Sequence, residues 1–209
     1  MSTWTRANGT IMTPSILIFD FFGVICSEIA PFWLSERFPP VEATRIKREL
    51  VGLADTGVIS EDVLFDRLAD LTGSTSTLVY DQWRKYIAIN KDVLNILEAA
   101  SSEYRIALLS NAPSRFVRRI LSDHSLEKYF ETIVVSSEEQ VAKPDPVIYR
   151  RILERLSAKA EDAVMIDDNA SNIAGAEQVG MRALLFSTAE KLERDLKGVQ
   201  KSRVSRARE

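Results

Sequence analysis

Histidine and cysteine are almost missing from this sequence: His124 and Cys26 are the only ones in 209 residues. No disulfide can form within the chain, and a zinc site of Cys and His ligands has too few donors. A Ser-His-Asp hydrolase would have to use His124, which follows a helical pattern in Asp123–His124–Ser125 and reads as a helix-end residue. Unbroken apolar runs of membrane length are missing as well. The stretch Ile16–Ile25 is interrupted by Asp20 and is shorter than the roughly 20 residues that span a bilayer. No charged start, clean apolar run and small-residue cleavage site mark a secretory leader. Neither charge sign is in excess: a net charge of −3 gives no global pull toward nucleic acid or acidic membranes. The expectation is a cytoplasmic protein with no nucleic-acid and no membrane partner; no feature fixes its oligomeric state.

What is present is ordinary for a globular chain, with 45% apolar and 27% charged residues. Five short apolar runs read as buried parallel strands: Ile16–Phe19, Ile106–Leu109, Ile133–Val135, Val164–Ile166 and Ala183–Phe186. Helical stripes lie between the later ones, Phe116/Val117/Ile120/Leu121 and Ile148/Tyr149/Ile152/Leu153/Leu156. Asp145–Pro146 before the second stripe supplies an N-cap and a first-turn proline. Alternating strands and helices predict an α/β fold with a doubly wound parallel sheet, a Rossmann-like core.

The first two strands are too far apart for one strand–helix–strand unit of about 30 residues. The excess shows three helical patterns: Ala43/Ile46/Leu50, Leu64/Leu68/Leu71 after a Ser60 N-cap, and Val79/Trp83/Tyr86/Ile87. The expected organisation is a core domain of 14–27 and 89–190, a small helical cap of 28–88, and loose termini at 1–13 and, basic in character, 197–209. Trp33, Phe65, Trp83 and Tyr86 are candidates to line a cleft between cap and core, or to form the core of the cap.

In open parallel α/β sheets, ligands bind beyond the carboxyl ends of the strands. Asp20 follows the first run, Ser110 and Asn111 the second, Lys143 the third at a short distance, and Asp167, Asp168, Asn169 and Asn172 the fourth. Three carboxylates converging on one sheet edge repel one another. A hard divalent cation such as Mg²⁺, which takes carboxylate, water and phosphate oxygens, relieves this. Lys143 can neutralise phosphate oxygens, Ser110 can donate a hydrogen bond to one, and Asp20 can attack phosphorus to form an acyl-phosphate. A small phosphorylated metabolite is the expected partner.

The four segments resemble the four motifs of the haloacid dehalogenase-like hydrolase superfamily. They are Ile16–Val24, Leu108-Leu109-Ser110-Asn111, Lys143-Pro144-Asp145, and Met165 through Asn172 continuing to Gly180-Met181. The resemblance covers residues 14–187, and the helical insertion matches the family's cap after the first strand. It implies a Mg²⁺-dependent phosphatase with Asp20 as nucleophile and metal ligand, and Ser110 and Asn111 at the phosphate. By the same resemblance Lys143 holds phosphate, Asp168 and Asp167 hold the metal, and the backbone carbonyl of Phe22 is a further ligand.

One position departs from the pattern. The family's phosphatases carry an aspartate two residues after the nucleophile, which protonates the leaving group and then activates water; here it is Phe22. The 2-haloacid dehalogenases also lack that aspartate and work without metal, but they do not resemble the chain at its acidic pair. Asp167–Asp168 would be costly in a metal-free site. Members resembling sugar-phosphate phosphatases tolerate a non-acidic residue there. Two routes around Phe22 follow: a substrate whose leaving oxygen needs little protonation, such as a sugar 1-phosphate, or a polar group supplied by the cap or the substrate. A metal-independent dehalogenase and a catalytically weak phosphate-binding protein are the alternatives to a phosphatase.

Overall fold

The computed structural model describes residues 14–204. Five parallel strands form the sheet: β1 Ile16–Phe19, β2 Arg105–Ser110, β3 Thr132–Val135, β4 Ala163–Asp167 and β5 Arg182–Leu185, in the order β3-β2-β1-β4-β5. Register is set at the centre, where Phe19 of β1 pairs with Leu108 of β2 on one side and Ile166 of β4 on the other. Side chains alternate between faces. Leu17 and Phe19 belong to one buried cluster with Leu108 and Ile166; Ile16 and Ile18 belong to a second with Leu109 and Met165. β1, β2 and β4 are therefore apolar on both faces, which is why they read as unbroken runs rather than alternations; the edge strand β5, expected to be buried, is only partly covered, with Leu185 exposed.

Helices cover both faces. Between β1 and β2 come α1 Ala30–Ser35, α2 Pro40–Ile46, a π-helical turn Lys47–Val51, α3 Gly52–Asp55, α4 Glu61–Thr72, α5 Ser76–Arg84 and α6 Lys91–Ala100. After β2 come α7 Ser114–Asp123, α8 Ser136–Glu139, α9 Pro146–Arg155, α10 Ala170–Gln178 and α11 Ala189–Val204. The face carrying Leu17 and Phe19 packs on Leu97 of α6, Ile120 of α7 and Leu192 of α11. The opposite face packs on Ile148 and Ile152 of α9 and Ala176 of α10. This is the doubly wound arrangement expected from the sequence.

The segment 30–84 is an all-helical insertion. Its ends are stitched together at a neck: Ser27 N donates to Ala88 O at 3.0 Å, and Asn90 N to Ile25 O at 2.9 Å. An aromatic group ties it to the sheet-covering helix α7. Phe65 meets Trp83 edge-on at 5.2 Å and Tyr80 at 5.3 Å, and Trp83 meets Phe116 of α7 at 5.7 Å. Such pairs contribute about 0.5–1.5 kcal/mol each beyond their buried area.

Several local expectations are corrected. Helices α1, α3, α6, α8, α10 and α11 carry no expected stripe; α6 has an Asn90 N-cap and buries Val93, Leu97 and Ala100. Leu71 is exposed, and Tyr86 and Ile87 lie beyond the end of α5. The tail expected to be loose from 197 is helical as far as Val204, because α11 buries Ala189, Leu192 and Leu196 and closes i,i+4 ion pairs Lys191–Asp195 and Lys197–Glu193. The leader 1–13 and residues 205–209 lie outside the described residues. His124 sits at the C-terminal end of α7, as its sequence context suggests, and Cys26 is a buried free thiol.

Phe65 is 4% exposed at the hub of this aromatic group. Phe65→Ala is expected to lower unfolding free energy by about 3–5 kcal/mol, measurable as a shifted midpoint in urea denaturation.

Candidate active site

The two halves of the sheet meet at β1. From there the sheet grows outward through β2 and β3 on one side and β4 and β5 on the other. The crevice at the carboxyl ends of β1 and β4 is thus a topological switch point, where α/β sheets bind ligands. Asp20 follows β1, and its N–H donates to Ile166 O of β4 at 2.9 Å, so the turn leaving β1 stays bonded to its neighbour. Asp167 is the last residue of β4 and Asp168 the next.

Lys143 joins these elements. Its ammonium lies 2.8 Å from Asp20 Oδ1 and 2.7 Å from Asp167 Oδ2, with the lysine side chain fully buried. The loop bearing Lys143 is held by Asn111 after β2: Asn111 Nδ2 donates to Lys143 O at 2.8 Å, and Lys143 N donates to Asn111 Oδ1 at 2.9 Å. Asp167 is further fixed by Asn169 N at 2.9 Å and by Asn172 Nδ2 at 3.0 Å. Phe21 N donates to Asp20 Oδ1 at 2.6 Å.

Burial and charge compete here. Burial raises the Asp20 carboxyl well above the ordinary carboxylate range; Lys143 opposes this and Asp167 adds to it. Burial acts to lower Lys143, yet the attraction of Asp20 and Asp167 outweighs it and the ammonium is held above its ordinary value. Asp168 is raised by burial and by Asp167. Charges this far out of water persist only when paired. One ammonium faces three carboxylates.

Asp20, Asp167 and Asp168 each present an oxygen within 4.8 Å of the others. Gly23 makes this possible: it has φ +84°, and a Cβ there would fall inside the Asp168 carboxylate. An oxygen-only donor set with surplus negative charge suits a hard divalent cation. The residues therefore fit Mg²⁺.

Of the residues singled out from sequence, Asp20, Phe22, Asn111, Lys143 and Asp168 line one cavity of about 290 Å³. Asp167 lies beneath them, bonded to Lys143. Ser110 ends β2 fully buried, its hydroxyl without a hydrogen-bond partner. Asn111 spends its carboxamide on the Lys143 backbone, so its evident structural contribution is to place the lysine. Trp33 and Phe65 are buried within the insertion, whereas Trp83 is buried and also reaches the cavity wall. Tyr86 bonds Glu36 instead of lining the cavity. Three polar residues on the wall went unnoticed in the sequence: Glu28, Lys47 and Asp55. Nothing in their local sequence distinguishes them from solvated helix charges.

A doubly wound sheet with an acidic, lysine-bridged centre at its switch point defines a class of carboxylate-centred hydrolases. The sequence profile of the haloacid dehalogenase-like hydrolases matches residues 14–180, and the chain belongs to that family. Curated relatives include a phosphorylated carbohydrates phosphatase of Thermotoga maritima, 33% identical over 96 residues, 46% of this chain and 44% of that protein. Another is the drimenol cyclase drtB of Aspergillus calidoustus, 25% identical over 158 residues, 72% of this chain and 30% of that one. The chain thus spans less than half the length of these relatives. Among solved structures, a haloacid dehalogenase family enzyme of Bacteroides thetaiotaomicron superposes with TM-score 0.74 at 19% identity, over 84% of this chain and 95% of that one. The L-2-haloacid dehalogenase of Xanthobacter autotrophicus superposes with TM-score 0.63 at 20% identity, over 88% and 82%. These structural likenesses establish the fold.

Replacing Lys143 by Met leaves Asp20 and Asp167 buried together with no cation between them. The expected loss is about 3–5 kcal/mol of unfolding free energy, read from urea denaturation without added metal. Gly23→Ala is expected to displace Asp168 and weaken Mg²⁺ binding at least tenfold by isothermal titration calorimetry, with the thermal midpoint of the metal-free protein changed far less.

Proposed function

We propose that the chain is a Mg²⁺-dependent phosphatase of small phosphorylated metabolites, working through an aspartyl-phosphate on Asp20. The observation that carries this reading is the surplus of negative charge around one lysine: Asp168 lies beside Asp20 and Asp167 and makes no ion pair among the described residues. A metal-free dehalogenase has no use for that third carboxylate, which crowds two others and is repelled by them. Sugar phosphates are the favoured substrate class, in keeping with the name of the Thermotoga relative. The 290 Å³ cavity, at the small end of ligand pockets of about 300–1,000 Å³, fits a compact ester.

In this reading Asp20 attacks phosphorus in line with the leaving oxygen. Lys143 holds Asp20 in its attacking orientation and offsets charge on the transferring group. Ser110 supplies a hydroxyl to a phosphate oxygen, and Asn111 keeps Lys143 in register. Asp20, Asp167, Asp168 and the Phe22 carbonyl would hold Mg²⁺, which when bound supplies Lewis-acid neutralisation of the phosphate. The division at residues 28 and 88 follows the hydrogen-bonded neck, with 28–88 acting as the cap over a core of 14–27 and 89–190.

Hydrolysis of 4-nitrophenyl phosphate with and without Mg²⁺, for the native chain and Asp20→Asn, tests this. Metal-dependent release of nitrophenolate, reduced by at least 10³ in Asp20→Asn, is expected. If no metal elicits turnover the phosphatase reading fails, and chloride release from 2-chloropropionate then separates a dehalogenase from a binding protein.

A further inference from the structure

Phe22 leaves the turn after β1 without a proton donor, and the same cavity is lined by three ionisable groups from the insertion and its neck: Glu28, Lys47 and Asp55. Their convergence has a backbone cause. Lys47, Val51 and Asp55 all line the cavity, at spacings of four residues. In an uninterrupted α-helix, positions eight apart are offset by about 80° around the axis. The π-helical turn Lys47–Val51, closed by Gly52 N donating to Lys47 O, takes up one extra residue. That reduces the offset to about 20° and places Lys47 and Asp55 on one face.

Asp55 is also anchored to the core. Its carbonyl accepts from the Ser136 hydroxyl, and that same hydroxyl accepts from Ala112 N at 3.0 Å, just past Asn111. Two residues on, Gly57 lies so close to the Ser137 carbonyl that a Cβ would overlap it. The position of Asp55 is thus set from the segments that follow β2 and β3, the same side of the sheet that presents Ser110 and Asn111. Its carboxylate makes no hydrogen bond or ion pair among the described residues.

We propose that Asp55 replaces the acid–base aspartate lost at Phe22. The inference rests on the phosphatase reading. As Asp20 attacks phosphorus, the bond from phosphorus to the leaving oxygen breaks with its electron pair on that oxygen. The protonated Asp55 carboxyl donates its proton there. Asp55, now a carboxylate, next takes a proton from water as the water oxygen attacks phosphorus. The Asp20–phosphorus bond breaks, phosphate leaves, and Asp20 and a protonated Asp55 are restored. The protonation state agrees: burial pushes the Asp55 carboxyl up to about 7, Lys47 opposing and Glu28 assisting. An acid poised near neutrality is suited to this exchange. The other charged groups on the cavity wall are Asp20, Asp168 and Lys143.

The test is a series of esters of similar shape and falling leaving-group acidity: 2,4-dinitrophenyl, 4-nitrophenyl, phenyl and benzyl phosphate, all with Mg²⁺. The native chain should show shallow dependence of kcat/KM on leaving-group basicity, and Asp55→Asn steep dependence. Benzyl phosphate turnover should fall by about 10²–10⁴ in Asp55→Asn. First-turnover release of dinitrophenolate should stay within tenfold and appear as a burst, since release from Asp20 is then slow. Equal losses across the series, or none, overturn the proposal and leave the phosphatase reading intact. A steep dependence in the native chain also overturns it, favouring an unassisted leaving group. A native chain inactive on every ester defeats the phosphatase reading itself.

Should Asp55→Asn fail to fold, the native pH profile decides. General acid catalysis needs the protonated carboxyl, so kcat/KM for benzyl phosphate should fall as pH rises through about 7, with no such limb for the dinitrophenyl ester. Glu28→Gln should move that limb to lower pH and Lys47→Met to higher pH. A limb that neither variant moves overturns the proposal.

Discussion

A fully buried lysine between two carboxylates is the constraint on which the rest of this site depends. Lys143 belongs to a loop remote in sequence from both Asp20 and Asp167, yet lies within 2.8 Å of each. In a low-dielectric crevice neither the ammonium nor the carboxylates persist alone. The neighbouring backbone is organised to hold them together. Asn111 clamps the lysine's own peptide group through two hydrogen bonds, and Asn172 and Asn169 hold Asp167. Gly175 permits α10 to approach that loop, since a Cβ there would come within 2.5 Å of the Pro144 carbonyl. Structural hydrogen bonds thereby preset the orientation of groups that, on our reading, act on phosphate.

The parallel sheet supplies the geometry for this cheaply. With β1 central and paired on both sides, Asp20 and Asp167 emerge from adjacent strands at the same height. The connection through α7 to β3 then returns Lys143 to the same edge. No long-range design is needed beyond strand order. The carboxyl ends of four strands are brought close by hydrogen-bond register alone, and side-chain chemistry is added at positions where the strands stop.

Most of this was legible in the sequence. Strands buried on both faces leave unbroken apolar runs, and polar residues placed just after those runs mark the edge where ligands bind. Asp20, Lys143, Asp167 and Asp168 were found this way, and the structure brings them together. The insertion was legible as excess length and less so in detail. Helix α1 is only six residues long, too short for a periodic stripe. Tyr86 carries the apolar spacing of α5 but falls after its end. Lys47 and Asp55 were invisible for a different reason. Their common face depends on a π turn, and helical-period reading assumes 3.6 residues per turn throughout. Glu28 sits in irregular backbone, where no period applies.

These two kinds of residue differ in how the fold can vary them. The groups around Lys143 depend on the lysine: removing it leaves Asp20 and Asp167 buried together without a cation. The wall formed by Glu28, Lys47 and Asp55 carries no such interlock, because the side chains of Glu28 and Asp55 are free of hydrogen bonds among the described residues. Phe22 therefore need not mark a damaged enzyme. Its ring packs edge-on against Phe21 at 4.9 Å and adds apolar surface beside Asp20, which strengthens every charge interaction nearby. An acid at position 22, in the turn after β1, would add a fourth carboxylate beside Asp20, Asp167 and Asp168. On our reading the insertion supplies the proton donor instead, from Asp55 in the same cavity as Asp20.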